Sequence, residues 1–427
     1  MFSALAALPA GLAFARTAAQ AQLPQPVAPL AQPPLAQPPM TQPPAAQPAA
    51  EPTPAPLPPP IWDPADAEAL LAFIQQIGVE GLDPADYEPA GLAAALRSGD
   101  PLLLARVATD RFNRVSSDLA LGHVRGKDSR VGWHIKDGDL DAERQDLLLR
   151  TALQQHRIPE ALRGLLPTHP QYRDLKNALA VTPKTETAKL NRIRLNLERW
   201  RWLPRDLGER YIIVNVPAYY VALVENGTTQ WRERAVAGAT KTPTPMLSVT
   251  ATGVVLNPWW EVPKSIEPEV RGKAGFVPVK GADGKVQRWR QPPGPSNALG
   301  ELKFVMPNQW AIYLHDTNAR SRFNQNIRSL SHGCIRTQHI TDLATRLLTD
   351  GGSEWTPDKV KETLASKKTV TANFPKPLPV YIVYFSSAAA TDGRIVNYDD
   401  VYKRDAAVLA ALDAKATGAP AVKTAAR

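Results

Sequence analysis

The 427-residue sequence predicts a multidomain α+β protein, with a helical N-terminal domain ahead of a mainly β, sandwich-like domain. Three observations carry this. Apolar residues recur at helical spacing from residue 61 to about 200. From residue 210 the pattern changes to short β-rich runs broken by turns. The length suits two or three domains better than one.

At the N-terminus, residues 2–15 are apolar and Ala19-Gln20-Ala21 has the small-x-small form of a signal-peptidase site. Residues 1–21 are therefore expected to be a signal peptide, although no Lys or Arg precedes the apolar run. That run is too short to span a bilayer, so no transmembrane helix is expected in the mature chain. Residues 22–60 hold 16 of the 42 prolines and repeat Gln-Pro-Pro from Gln32, Gln37 and Gln42. They are expected to be a disordered linker, reaching about 120 Å if extended. Export also changes the meaning of Cys334. It is the single cysteine, so it cannot form an internal disulfide and is either a buried inert thiol or a reactive one.

Residues 61–200 are read as the helical domain. Leu70, Leu71, Ile74 and Ile77 share a helical face that Gly78 ends. Residues 102–121 form a second helix closed by Gly122, and Leu190, Ile193, Leu197 and Trp200 share the face of a third. His123, His134, His156 and His169 have no metal-ligand spacing and are expected to be structural or exposed. Residues 209–375 are read as the β domain. "YIIVNV" and "YYVALVE" are strands, and Asn226-Gly227 predicts a tight hairpin. In "KFVMPNQWAIYLH", Trp310, Ile312 and Leu314 should face one way and Ala311, Tyr313 and His315 the other. A helix is expected to begin near Thr337. Residues 376–414 are assigned a further strand and helix, and 415–427 a disordered tail.

The formal charge of +9 favours an anionic partner. No zinc-finger, RNA-recognition or basic-zipper pattern accompanies it, so nucleic acid is not expected. The chemistry concentrates in "HDTNARSRFNQNIRSLSHGCIR", residues 315–336. A cysteine nucleophile needs a base, and His315 and His332 are both at hand. His332 is two residues from Cys334, so its ring is expected to point elsewhere. His315, on a separate strand, is placed to meet the sulfur. Ser331 is the local choice for orienting His315, by its carbonyl or hydroxyl. Cys334 is expected to sit just before a helix N-terminus, with a lowered pKa. The Gly333 and Cys334 N–H groups are candidates for an oxyanion hole. A metal site built from these histidines and Cys334 does not match a standard zinc spacing.

"LHDT…SLSHGCIR" closely resembles the signature of the L,D-transpeptidase family. "NLERWRWLPRDLGERYIIVNVPAYYVALVENG", "NPWWEVPKSI" and "QPPGPSNALGELKF" look like its larger Gram-negative members. "GVEGLDPADYEPAGL" and "ATDRFNRVSSDLALGHVRGK" resemble their scaffold domain. The resemblance covers roughly residues 61–412. It implies a periplasmic enzyme that forms 3-3 cross-links in peptidoglycan, with no metal or organic cofactor. Cys334 would be the nucleophile, His315 the proton donor and acceptor, and Gly333 an oxyanion donor, while Ser331 would orient His315. His332, Arg336 and Tyr313 would line the substrate groove, and Arg336 could pair with a donor carboxylate. Arg336 stands where many members have Asn; the scaffold-containing subgroup often has Arg there. An insertion near residues 259–297 would cap the substrate, with Trp259 and Trp260 as anchors or as core. The partners implied are stem peptides: a tetrapeptide donor and a diaminopimelate acceptor. Water as acceptor would give an L,D-carboxypeptidase, and an envelope-protein amine would give protein anchoring. A catalytically dead wall-binding scaffold is the reading from another class.

Overall fold

Asp-Pro pairs punctuate the helical part of the chain. The Asp63 and Asp100 side chains accept backbone N–H groups at the starts of α1 (Pro64–Gln76) and α3 (Pro101–Leu121), and proline fills the first helical position of both. Between them lies α2 (Pro89–Ser98), and α3 ends at Gly122, whose φ is +84°. Four more helices follow: α4 (Ala142–Gln154), α5 (Ile158–Arg163), α6 (Pro170–Val181) and α7 (Thr187–Arg201). Leu70, Ile74, Leu92, Phe112, Val115 and Leu119 form the centre of their core. The computed structural model describes residues 58–136, 139–390 and 394–414. The expected signal peptide, nearly all of the proline-rich linker and the tail lie outside the described residues. Among the described residues no helix is long and apolar enough to cross a membrane.

The second half is built on strands β1 (Arg210–Asn215), β2 (Tyr220–Glu225), β3 (Thr228–Gly238) and β4 (Leu247–Leu256). An insertion carries β5 (Trp260–Glu261), the one-turn helix α8 (Glu267–Val270), β6 (Val277–Lys280) and β7 (Val286–Gln291). Strands β8 (Leu302–Val305), β9 (Leu314–His315), β10 (Ser329–Ser331) and β11 (Ile335–Thr337) lead to α9 (Ile340–Leu348) and α10 (Pro357–Ala365). The chain closes with β12 (Val370–Val383), β13 (Ser387–Ala389), β14 (Ile395–Asn397) and α11 (Asp405–Asp413). The main sheet runs β10-β3-β11-β9-β8-β4-β12-β1-β2, and β3 also pairs with β2. The ladder therefore returns on itself, because β3 pairs with β2 along its first part and with β11 near its end. The two layers of the expected sandwich are thus one continuous sheet, with Val214, Leu223, Leu256, Phe304, Leu314 and Ile335 inside. Asn226 and Gly227, both at positive φ, make the predicted hairpin.

Two expectations need correction. Val370–Val383 is one strand, so a boundary at residue 375 cuts through the middle of the sheet. Pro375 and Pro377 fall where the register with β4 shifts between Asn373 and Leu378; the prolines that look like a break occupy a bulge. Likewise, "KFVMPNQWAIYLH" is not one alternating strand. β8 stops at Val305, before Pro307, and Asn308 knits a turn by accepting from Trp310 N–H and Ile312 N–H while donating to the Met306 and Ile312 carbonyls. Alternation survives only at its end, where Leu314 enters the core and Tyr313 and His315 face the other way.

α7 joins the halves. Leu195 packs into the helical core, whereas Ile193, Leu197 and Trp200 pack with Tyr211, Ile213 and Phe385. Trp200 is stacked between His169 and Phe385, at 4.3 and 4.6 Å. Fully buried Glu198 pairs with Arg201 at 2.8 Å and accepts from the Val124 N–H and the Trp202 indole. Burial pushes its pKa up, but Arg201 and the Val124 N–H outweigh this and leave it below the ordinary carboxylate value. Removing the carboxylate strands a buried guanidinium. Glu198→Ala is therefore expected to lower stability by about 3–5 kcal/mol in a denaturant titration.

Candidate active site

The site starts from strand pairing. β9 lies parallel to β11, with Leu314 opposite Ile335 and His315 opposite Arg336. Leu314 and Ile335 are fully buried and anchor the pair from the core side. This register sets His315 at the end of β9 and Cys334 just ahead of β11, and both line one cavity of about 540 Å³. His315 is 4% exposed. Its Nδ1 lies 2.5 Å from the Asp316 carbonyl oxygen. A carbonyl can only accept, so Nδ1 carries the hydrogen and Nε2 is left as an acceptor. The Asp316 carboxylate is itself held by the Glu301 N–H and by Arg320.

Ser331 does something other than expected. Its hydroxyl donates to the Cys334 carbonyl at 2.6 Å and accepts the Gly333 N–H at 3.1 Å. It thus pins the turn that presents the cysteine, while Asp316 orients the imidazole. The Gly333 N–H, expected to serve an oxyanion, is engaged by Ser331. Gly333 has φ +120°, a conformation that side chains rarely adopt. The turn is also fastened from outside. The Ser331 carbonyl accepts from the Ala239 N–H and the Thr242 hydroxyl, and the Thr244 hydroxyl donates to the Gly333 carbonyl at 2.7 Å. Tyr402, from the C-terminal segment, donates to the Gly238 carbonyl and accepts the Thr244 N–H.

Cys334 does not precede a helix. The strand β11 follows it, and α9 begins only at Ile340, so no helix dipole acts on the sulfur. Burial pushes the Cys334 thiol up, and this outweighs the opposing pull of the Tyr313 backbone and hydroxyl, Lys303 and Arg336. Burial likewise lowers His315 to about 3; Arg336 and Lys303 add to this and the Asp316 carbonyl opposes it. At neutral pH the pair is a thiol beside a neutral imidazole, not a thiolate beside an imidazolium.

The other predicted residues surround this pair. Tyr313 packs edge-on against His315; its hydroxyl hydrogen-bonds to the sulfur and accepts from the Trp260 indole N–H. Arg336 lines the cavity, and its Nε is buried without a hydrogen-bond partner. His332 points away from the sulfur; its Nε2 lies 3.1 Å from a Glu269 carboxylate oxygen. That contact links the cysteine turn to α8 in the inserted segment. The insertion has a small core of Val262, Ile266 and Val270, with Trp260, Phe276 and Trp289 against it. Fully buried Asn297 clasps its base by donating to the Pro258 and Pro292 carbonyls. Trp260 lines the cavity, whereas Trp259 stacks under Arg290. Lys303, Asp316, Glu269 and Tyr402 escaped sequence reasoning. Only the position of Asp316 beside His315 offered a signal, and that signal concerned a side chain rather than the carbonyl that acts. Among the described residues no group of three His, Cys, Asp or Glu side chains could hold a metal ion.

Comparison with known proteins follows the same division of the chain. Residues 209–381 match the L,D-transpeptidase catalytic domain family (YkuD), and residues 58–179 match the Scaffold domain family. A Haemophilus influenzae protein, provisionally named an L,D-transpeptidase, is 30% identical over 283 residues, which are 60% of this chain and 57% of that protein. The chain thus spans little more than half the length of this relative. Among solved structures, an L,D-transpeptidase from Mycobacterium smegmatis is similar at 16% identity and a TM-score of 0.22, covering 41% of this chain and 58% of that one. The catalytic domain of an Enterococcus faecium L,D-transpeptidase acylated by ertapenem is similar at 16% identity and a TM-score of 0.20, covering 42% and 99%.

Two outcomes are expected from the electrostatics. His315 has a folded pKa of about 3, below the unfolded value of about 6.5. Between those values the unfolded chain binds a proton that the folded chain refuses. Stability should therefore fall as pH drops from about 6.5 toward 3, by up to about 1.4 kcal/mol per pH unit from this group. His315→Gln should remove that part of the slope in denaturant titrations at pH 7, 5.5 and 4.5. Separately, iodoacetamide should alkylate Cys334 slowly at pH 7, and the rate should still be rising above pH 9.

Proposed function

We propose, for a chain that belongs to the L,D-transpeptidase family, that it forms 3-3 cross-links in peptidoglycan through a Cys334 thioester. The observation that supports the reading is that His315, held by the parallel β9–β11 register, and Cys334 line the same cavity. In the first step His315 Nε2 takes the thiol proton as the sulfur attacks the carbonyl of the diaminopimelate residue at stem position three. The C–N bond breaks, and the imidazolium returns the proton to the departing D-Ala amine. The side-chain amine of a second diaminopimelate then attacks the thioester. Its proton passes through His315 Nε2 to the sulfur that leaves, and an amide replaces the thioester. No redox or phosphoryl donor is required, because the thioester conserves the energy of the amide it replaces.

The resting charges suit this order. A neutral imidazole can accept the proton, and burial makes its charged form a strong acid that gives the proton up readily. The carbonyl oxygen becomes negative in the tetrahedral intermediate and needs donors. We assign these to the Cys334 N–H and the Tyr313 hydroxyl, which burial keeps protonated well above neutral pH. The Gly333 N–H would join them only if it left the Ser331 hydroxyl. Arg336, with an unpartnered buried nitrogen, is the residue proposed to meet a donor carboxylate. The insertion covers the donor and limits water. The compartment proposed for this chemistry is the periplasm, a reading supported by the N-terminal signal expected from the sequence.

The test is mass spectrometry of the purified protein mixed with a disaccharide-tetrapeptide. The expected product is a dimer lacking one D-Ala, absent with Cys334→Ala, and reduced about 10²–10⁴-fold in rate with His315→Asn. Tripeptide alone would make water the acceptor and the protein an L,D-carboxypeptidase. Activity persisting in Cys334→Ala would contradict the thioester.

A further inference from the structure

Of the three cations that line the cavity, Lys273, Lys303 and Arg336, the last two flank His315, and neither pairs with a carboxylate among the described residues. Lys303 lies opposite His315 in the antiparallel β8–β9 pair, and Arg336 lies opposite His315 in the parallel β9–β11 pair. Residues paired across neighbouring strands project from the same face of a sheet. Lys303, His315 and Arg336 therefore stand in one row with the imidazole in the middle, and all three line the cavity. The Lys303 ammonium sits over the Tyr313 ring, 5.2 Å from its centroid. Arg336 keeps a buried nitrogen without a partner. Like charges in one row disfavour each other, and an anion seated between them relieves this.

The reaction fixes where such an anion belongs. His315 Nε2 protonates the nitrogen of the leaving residue. When that residue is the last of the peptide, its α-carboxylate hangs from the same Cα as that nitrogen. A carboxylate so tied must lie beside the imidazole, and the groups beside the imidazole in the row are Lys303 and Arg336.

We infer that Lys303 is a specificity-determining residue that clamps, together with Arg336, the free α-carboxylate of the leaving amino acid. This selects donors with a single residue beyond the scissile amide. A longer peptide puts an uncharged amide where the clamp holds an anion, and so does a C-terminally amidated donor. The inference rests on the reading that Cys334 and His315 cleave the bond before a C-terminal residue.

The experiment compares a tetrapeptide donor carrying a free carboxylate with the same donor as its C-terminal amide. Release of the last residue is followed for wild type, Lys303→Met and Lys303→Arg. The wild type is expected to favour the acid roughly 10- to 100-fold in kcat/KM, the scale of one charge-assisted contact. Lys303→Met should bring that ratio toward one, chiefly through KM on the acid, and Lys303→Arg should restore most of it. Binding of the uncleaved acid to Cys334→Ala should weaken by a similar factor when Lys303→Met is added, which reads the clamp without turnover. An equal loss on both donors, or a ratio that survives Lys303→Met, overturns the inference. A wild type that cleaves neither donor overturns the underlying reading, and this inference with it.

Discussion

The site depends on one pairing, between two short strands that run the same way. β9 has two residues and β11 has three, and on their own they would not hold together. They hold because Leu314 and Ile335 are sealed in the core on one face, which fixes the register. The opposite face then carries His315 and its neighbours into the cavity. A slip of one residue would send the imidazole inward and the leucine outward. The turn from Ser331 to Cys334 depends on the same register, and it is fastened by Thr242, Thr244 and Tyr402, which come from distant parts of the chain.

Burial sets the chemistry of the resting site. It holds the proton on Cys334 and off His315. Lys303 and Arg336 help keep the proton off His315, and at Cys334 they pull against burial without overcoming it. A site so charged holds no reactive thiolate at rest, and a protonated thiol is less open to oxidation and to stray electrophiles. The inserted segment shares in this, because Trp260 reaches Tyr313 and Glu269 reaches His332.

Much of this was legible in the sequence, for identifiable reasons. The helices announce themselves through Asp-Pro caps, apolar periodicity and Gly122. The hairpin announces itself through Asn226-Gly227. The candidate nucleophile and base stand out because the chain has one cysteine, and its histidines are few. What was not legible depends on tertiary pairing. A strand interrupted by Pro375 and Pro377 reads as two segments until its bulge against β4 is seen. Cys334 reads as a helix-start residue because α9 is strongly amphipathic, yet three residues of strand come first. Ser331 reads as the partner of His315 because it is the polar group that stands beside the cysteine motif. The actual partner is a main-chain carbonyl, and every residue has one. Lys303 carries no local signal at all, since its importance lies in standing opposite His315.

His315 rests as a neutral imidazole with its hydrogen on Nδ1, which leaves Nε2 as an acceptor. Nitrogen NMR of the histidine ring, assigned by loss in His315→Gln, reads this directly. A protonated Nδ1 and a bare Nε2 are expected at pH 7, with no change of charge as the pH falls through about 6.5. An imidazolium at pH 7, or a hydrogen on Nε2, would contradict it.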